Sequence, residues 1–236
     1  MSATLAKRFA ALVRGDDEGL HVREFATAAE AASHSLDGVF AYDHLWPMGQ
    51  PERPALAPFP VLAAVAARIP NVSVGPLVAR VGLVSTDDLV GQLRTLGECA
   101  PGRVIAALGT GDRLSAGENV AYGIAYPSAS ERQDLLAAAV ERLRDDFEVW
   151  VGAGAPSTNA IARSAGVALN MWNISPDEAV ARAAGAPWNW AGAPQDDLDA
   201  QLDALARAGA TWAVFTPSVS LARLGVWRTR TSAPRH

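Results

Sequence analysis

Short apolar runs and amphipathic stretches alternate along this chain, and that alternation constrains the fold more than any other feature. Runs such as Val39-Phe-Ala41, Val104-Ile-Ala-Ala-Leu108, Val149-Trp-Val151, Val167-Ala-Leu-Asn-Met-Trp172 and Ala210-Thr-Trp-Ala-Val-Phe215 have strand length. Most lack the polar alternation of a half-exposed sheet and read as strands buried on both faces. Between them apolar residues recur at helical spacing. Leu89, Val90, Leu93 and Leu96 follow Thr86 and the acidic pair Asp87-Asp88, and Leu135, Leu136, Val140 and Leu143 form a second set. Leu198, Leu202 and Leu205 form a third, ended by Gly209. Alternating strands and helices predict a parallel sheet sheathed in helices. About eight such units in 236 residues predict a closed (β/α)8 barrel of the TIM type, in one domain over 1–236.

Four segments stand outside the regular pattern. Residues 4–14, with Leu5, Phe9, Leu12 and Val13 ahead of Gly15, read as a short amphipathic helix within an N-terminal extension over 1–17. Gly19 to Phe25 is a poor strand interrupted by Arg23 and Glu24, and the basic 228–236 reads as a flexible tail. Arg113 to Ser128 reads as an irregular loop with Glu118-Asn119 inside it, directly after Asp112. A loop of that length in a compact domain is usually functional.

Barrel enzymes place reactive side chains where strands emerge at their carboxyl ends. Asp43 and His44 directly follow the run Val39-Phe-Ala41, and an ionisable pair cannot stay in a core without partners. The competing reading makes Asp43 a turn cap and His44 an ordinary rim histidine. Arg80, Asp112, Trp172 and the loop Gly152-Ala153-Gly154-Ala155 fall on the same rim. That loop runs into Pro156, Ser157 and Thr158 at a helix start, a backbone nest suited to an anion. Plain capping by Ser157 or Thr158 explains the same residues. Gly109-Thr110-Gly111 follows a strand but lacks the third glycine and immediate helix of a dinucleotide site. Trp46, Trp172, Trp188 and Trp190 suggest an apolar, aromatic-lined pocket.

Composition removes several function classes. A net charge of -5 with no basic block argues against nucleic acid. No run approaches the roughly 20 apolar residues of a membrane span, and none follows Lys7 and Arg8 that would suit a signal peptide. The single cysteine, Cys99, excludes an intramolecular disulfide and fits a reducing, cytoplasmic setting. His21 and His34 have no partner at ligand spacing, so no metal is expected.

The stretch Asp37-Gly-Val-Phe-Ala-Tyr-Asp-His-Leu45 is joined by Gln92-Leu-Arg-Thr-Leu96, Pro101-Gly-Arg-Val104, Leu108-Gly-Thr-Gly-Asp112 and Val149-Trp-Val-Gly-Ala-Gly-Ala-Pro156. In this order and spacing they resemble the bacterial-luciferase-like superfamily, especially its branch using the deazaflavin coenzyme F420. The resemblance covers roughly 37–172 and is weaker beyond. It implies a flavin-type ring in the barrel mouth, with Asp43 and His44 beside the reactive edge. Leu77 and Val78 match a bulge in the third strand, often with a non-proline cis peptide, that buttresses the ring. Ala79, Arg80, Gly109 and Thr110 fall next to the ring, and Gly152, Ala153, Gly154, Ala155, Pro156, Ser157 and Thr158 match the phosphate loop. Asp112, with Trp46 and Trp172, is implied in the substrate pocket.

The implied activity is hydride transfer between the deazaflavin and a small organic substrate. His44 would give or take a proton at the substrate, and Asp43 would orient it or raise its pKa. An FMN-dependent monooxygenase is the alternative, and a barrel that binds a ligand or partner without turnover is a third. A small-molecule substrate and a homodimer are the expected partners. The chain departs from the family in its short length, its shortened segment between strands 4 and 5, and the absence of a lysine near the nest.

Overall fold

The computed structural model describes residues 8–13, 30–31, 34, 36–46, 51, 55–216 and 218–232. In chain order they form β1 (Arg8–Val13), β2 (Gly38–Ala41), α1 (Pro58–Arg68), β3 (Ser73–Pro76), β4 (Ala79–Arg80) and α2 (Thr86–Cys99). There follow β5 (Ile105–Gly109), α3 (Arg113–Ala121), α4 (Ala129–Leu143), β6 (Glu148–Gly152), α5 (Pro156–Ala165) and β7 (Ala168–Trp172). The last elements are α6 (Pro176–Ala183), β8 (Trp188–Gly192), α7 (Leu198–Arg207), β9 (Trp212–Phe215) and α8 (Leu221–Ser232).

All pairings between these strands are parallel, in the order β3-β2-β1-β9-β8-β7-β6-β5-β4. β3 and β4 are halves of one interrupted strand. The lower half pairs with β2, Pro76 opposite Ala41, and the upper half with β5, Ala79 opposite Leu108. A bridge between Val74 and Val104 joins β3 to the approach of β5 and closes the ring. The result is the (β/α)8 barrel that the alternation predicts.

The first strand is not where the spacing placed it. The segment expected as a helix over 4–14 contains β1, seated between β2 and β9. A short apolar run fits helix and strand templates alike, and two open strand edges decide the matter. The weak strand at 19–25 lies outside the described residues. At the other end, 228–232 belong to α8 rather than to a flexible tail. Arg228 Nε donates to Asp37 Oδ2 at 2.9 Å and ties this helix to the entry of β2.

Side chains alternate between two cores. Phe40, Ile105, Ala107, Trp150, Trp212 and Val214 pack together inside the barrel. Val39, Ala41, Leu108, Val151, Leu169 and Met171 face the helices. Trp150 stacks on Phe40 at 5.1 Å and meets Trp212 edge-on at 5.4 Å. Both indoles donate to Glu148 Oε1, at 3.0 and 3.2 Å. Trp188 and Trp190, expected in an aromatic pocket, are 5% and 3% exposed and lie in the core shared with the helices. Their place on alternate residues of β8 turns both outward from the barrel axis.

The helices start where the sequence offers caps. Ser85 accepts the Asp88 amide above α2, and its acids lie in the first turn, as the helix dipole favours. Ser128 and Glu131 form a reciprocal capping box on α4. The stretch expected as an irregular loop instead contains α3, started by a capping box between Asp112 and Ser115. Among the described residues no helix is long and apolar enough to cross a membrane.

Candidate functional site

The chain turns out of β2 through Tyr42, Asp43 and His44, and the interrupted strand delivers Arg80 to the same place. The Arg80 amide donates to Asp43 Oδ2 at 2.8 Å, and Arg80 Nε returns to the Asp43 carbonyl at 3.0 Å. Burial pushes the Asp43 carboxyl above its ordinary range, against the pull of the Arg80 amide and guanidinium. The Arg80 side chain thus turns back on the Asp43 carbonyl, while its backbone amide holds the carboxylate.

α3 supplies the third member. Glu118 is 2% exposed, and both its oxygens are engaged. Oε1 lies 2.6 Å from His44 Nδ1. Oε2 accepts from Arg80 Nη2 at 2.8 Å and from the Leu45 amide at 3.1 Å. Asn119 backs the group: its Oδ1 is 3.5 Å from Arg80 Nη1, and its Nδ2 donates to the Ala125 carbonyl at 2.9 Å. The Tyr122 hydroxyl donates to the Leu45 carbonyl at 3.0 Å. Asp43, His44, Arg80 and Glu118 thus form one charged cluster, joined across 37 to 74 residues of sequence.

Glu118 is the residue that sequence reasoning passed over. It was visible as a polar point, but the surrounding stretch has no apolar stripe. The available signal was Asp112 three residues before Ser115, the spacing of a helix start. From that start Ser115, Glu118 and Asn119 fall on one face.

Leu77 and Val78 are joined by a cis peptide and sit between the halves of the interrupted strand, as the resemblance implied. Val78 occupies space that Gly109 leaves: a Cβ there would stand 2.4 Å from Val78 Cγ2, whereas one on Gly152 would meet Cγ1 at an ordinary contact distance of 3.6 Å. The end of β5 is thereby kept bare beneath the branched Val78 side chain. Tyr42 packs at 6.2 Å from His44 and from Trp172, which is 43% exposed. On its other side His44 borders a cleft of about 940 Å³, lined in part by Asp43, Leu83, Val84, Tyr122 and Ile124. Trp46 stands 6.1 Å from Tyr122 and is not among the residues lining that cleft.

Asp112 acts first as the cap of α3. Burial alone would raise its carboxyl, but the Ser115 amide and hydroxyl and the Leu114 amide outweigh that and hold it below the ordinary range. The Tyr126 hydroxyl donates to its carbonyl at 2.5 Å. Thr110 lies beside Gly111 and lines a small space with Arg80 and Arg132.

At the loop expected to receive a phosphate, α5 begins at Pro156 with Ala155 as its uncapped N-cap. The Gly154 amide is taken by Asn159 Oδ1 at 3.0 Å, and the Ala153 amide by the Asn170 carbonyl at 2.8 Å. Ser157 Oγ accepts from Gln133 at 2.7 Å, and Thr158 is 3% exposed. The helix-start amides of Ser157 and Thr158 remain as donors without an intrahelical acceptor.

No family model matches the chain. It is 35% identical over 130 residues to the F420-dependent glucose-6-phosphate dehydrogenase of Nakamurella multipartita, a match spanning 55% of this chain and 36% of that protein. The chain therefore aligns with little more than a third of the length of this curated relative. In fold it is similar to an F420-dependent secondary alcohol dehydrogenase solved with an F420-acetone adduct: TM-score 0.74, 12% identity, 98% of this chain and 99% of the other. It is also similar to the oxygenating constituent of 3,6-diketocamphane monooxygenase from Pseudomonas putida, solved with FMN. That likeness has a TM-score of 0.60 at 13% identity, over 80% of this chain and 68% of the other. At these identities the solved structures show a shared barrel fold, and the partial match to the F420-dependent relative agrees with the resemblance its motifs carry.

Proposed function

We propose that this chain is an oxidoreductase that holds the deazaflavin F420 at the barrel mouth and moves a hydride between it and a small hydroxyl-bearing substrate. The observation that carries the reading is the buried Glu118 against His44 Nδ1, at the edge of the open cleft. An ionisable acid is costly to keep in a dry interior, and this one is directed at a histidine that borders an open cleft, as a working site needs. Val78 over Gly109 offers a planar ring a surface to rest on, and the F420-dependent relative supports F420 as its identity.

When bound, the deazaflavin supplies the hydride acceptor or donor. The chain supplies the rest. His44 holds or releases the hydroxyl proton, Tyr42 and Trp172 shape the apolar wall, and the helix-start amides of α5 receive the phosphate.

Titration of the purified protein with F420 and with FMN, followed by ligand fluorescence, tests the reading. Saturable F420 binding that Val78→Asp abolishes is the expected result. Saturation by FMN alone would move the chain to the monooxygenase reading, which its likeness to the FMN-bound structure supports. Binding of neither would end both readings.

A further inference from the structure

We propose that Arg80 is the positioning residue of this site: it clamps Glu118 so that His44 is held as the Nδ1–H tautomer, with Nε2 the one atom left to accept the substrate proton. The inference rests on the proposed hydride-transfer function and assigns that function's proton to an atom.

The geometry leaves Glu118 a single role. Its side chain is 3% exposed, so it does not reach a substrate. Oε2 already accepts from two donors, Arg80 Nη2 and the Leu45 amide. Only Oε1 faces His44, and a carboxylate oxygen there can only accept, so Nδ1 must carry the hydrogen. In the neutral ring Nε2 is then the lone pair. Among the described residues Nε2 has no hydrogen-bond partner, and the His44 side chain is 26% exposed.

Arg80 is what keeps Glu118 turned this way. It is 5% exposed and gripped at three further points, by Asp43 Oδ2 at its amide, the Asp43 carbonyl at Nε and Asn119 Oδ1 at Nη1. During substrate oxidation the hydroxyl proton passes to Nε2. A deazaflavin held at the site would supply the acceptor for the carbinol hydrogen and its electron pair as the carbinol becomes a carbonyl. Glu118 balances the imidazolium through Nδ1–H and is itself unchanged.

An isosteric substitution reads the clamp directly. In Glu118→Gln the two donors at the Oε2 position demand the amide oxygen. The NH2 group then faces Nδ1, which must become the acceptor, and the proton moves to Nε2. The measurement is the pair of His44 ring nitrogen signals in 15N-labelled, cofactor-free protein, about two pH units above the ordinary histidine pKa near 6.5.

Wild type should show a protonated Nδ1 and a bare Nε2. Glu118→Gln should invert the pair, Arg80→Met should give a mixture, and Arg80→Lys should restore the wild-type form. Wild type with Nε2 protonated overturns the proposal, as does Glu118→Gln without inversion or Arg80→Met with a single unchanged tautomer. If Arg80→Met does not fold, Glu118→Gln and wild type still decide. Failure of wild type to bind F420, with the tautomers as stated, would remove the hydride-transfer reading and leave the clamp standing.

Discussion

α2 and α3 lie before and after β5 and begin alike, yet they bury opposite chemistries. Ser85 and Asp112 each accept the amide three residues on. α2 then turns Leu89, Val90, Leu93 and Leu96 inward. α3 turns in Ser115, Glu118 and Asn119 and leaves Leu114 and Val120 67% and 74% exposed. α2 is held by the area it removes from water, the ordinary source of helix stability in a domain. α3 is held by a cap and a network of charge-assisted bonds, whose partners were all placed by other parts of the chain. The difference separates a helix that makes the fold from one that makes the site.

Breaking the network should have the largest effect. Glu118→Ala leaves Arg80 buried without its carboxylate, and removing one partner of a buried pair costs about 3–5 kcal/mol. Urea unfolding should show that loss, with the His44 ring signals disturbed as well. Leu93→Ala in α2 should cost a comparable or slightly smaller amount, about 2–5 kcal/mol for a Leu truncated in a core. Leu93 is fully buried, but its loss should leave the His44 tautomer and ligand affinity as they were. A Leu93→Ala protein with a disturbed His44, or a Glu118→Ala protein of full stability, would erase the distinction between the two helices.

The same difference explains what could be read beforehand. The barrel was legible because strands buried on both faces and helices with one apolar stripe obey periodicities of 2 and 3.6. Leu93 and Trp150 could be placed from their neighbours alone. Asp43 and His44 were legible because charges after a buried run must emerge. Glu118 was not, because its helix reverses the pattern, and a polar face aimed inward looks like solvent exposure in sequence. Arg80 was placed on the same rim, but its partners Glu118 and Asn119 were not foreseen: which way a long side chain turns depends on groups far away in the chain. β1 was misread because its short run is ambiguous until β2 and β9 exist on either side.

Caps give a smaller and sharper comparison. Ser85→Ala and Asp112→Ala should each cost roughly 1 kcal/mol. The second should also depend on pH. Hydrogen bonds hold the Asp112 carboxyl below its unfolded value, so its contribution is fully present above that value. It is lost as pH falls through the lower folded value. The gap in melting temperature between wild type and Asp112→Ala should therefore close toward strongly acid pH. A gap that widens on acidification would show that the cap bonds do not govern this carboxyl.

The smallest expected effect tests whether α3 is the exception it is taken for. Leu114 and Val120 point outward, and replacing a solvent-exposed side chain with a polar one usually changes stability by less than about 0.5 kcal/mol. Leu114→Gln and Val120→Gln should accordingly leave the unfolding midpoint and the solution mass unchanged. A homodimer is among the partners expected from the sequence, and two apolar side chains so open to solvent are where a second copy could seat. If either substitution lowers the mass measured by light scattering, or costs more than about 1 kcal/mol, the outer face of α3 is covered in the assembly. α3 would then bury an apolar face against a partner and a polar face against His44 and Arg80. The rule that a helix is anchored by apolar area would hold for it after all, with the area lying between copies of the chain.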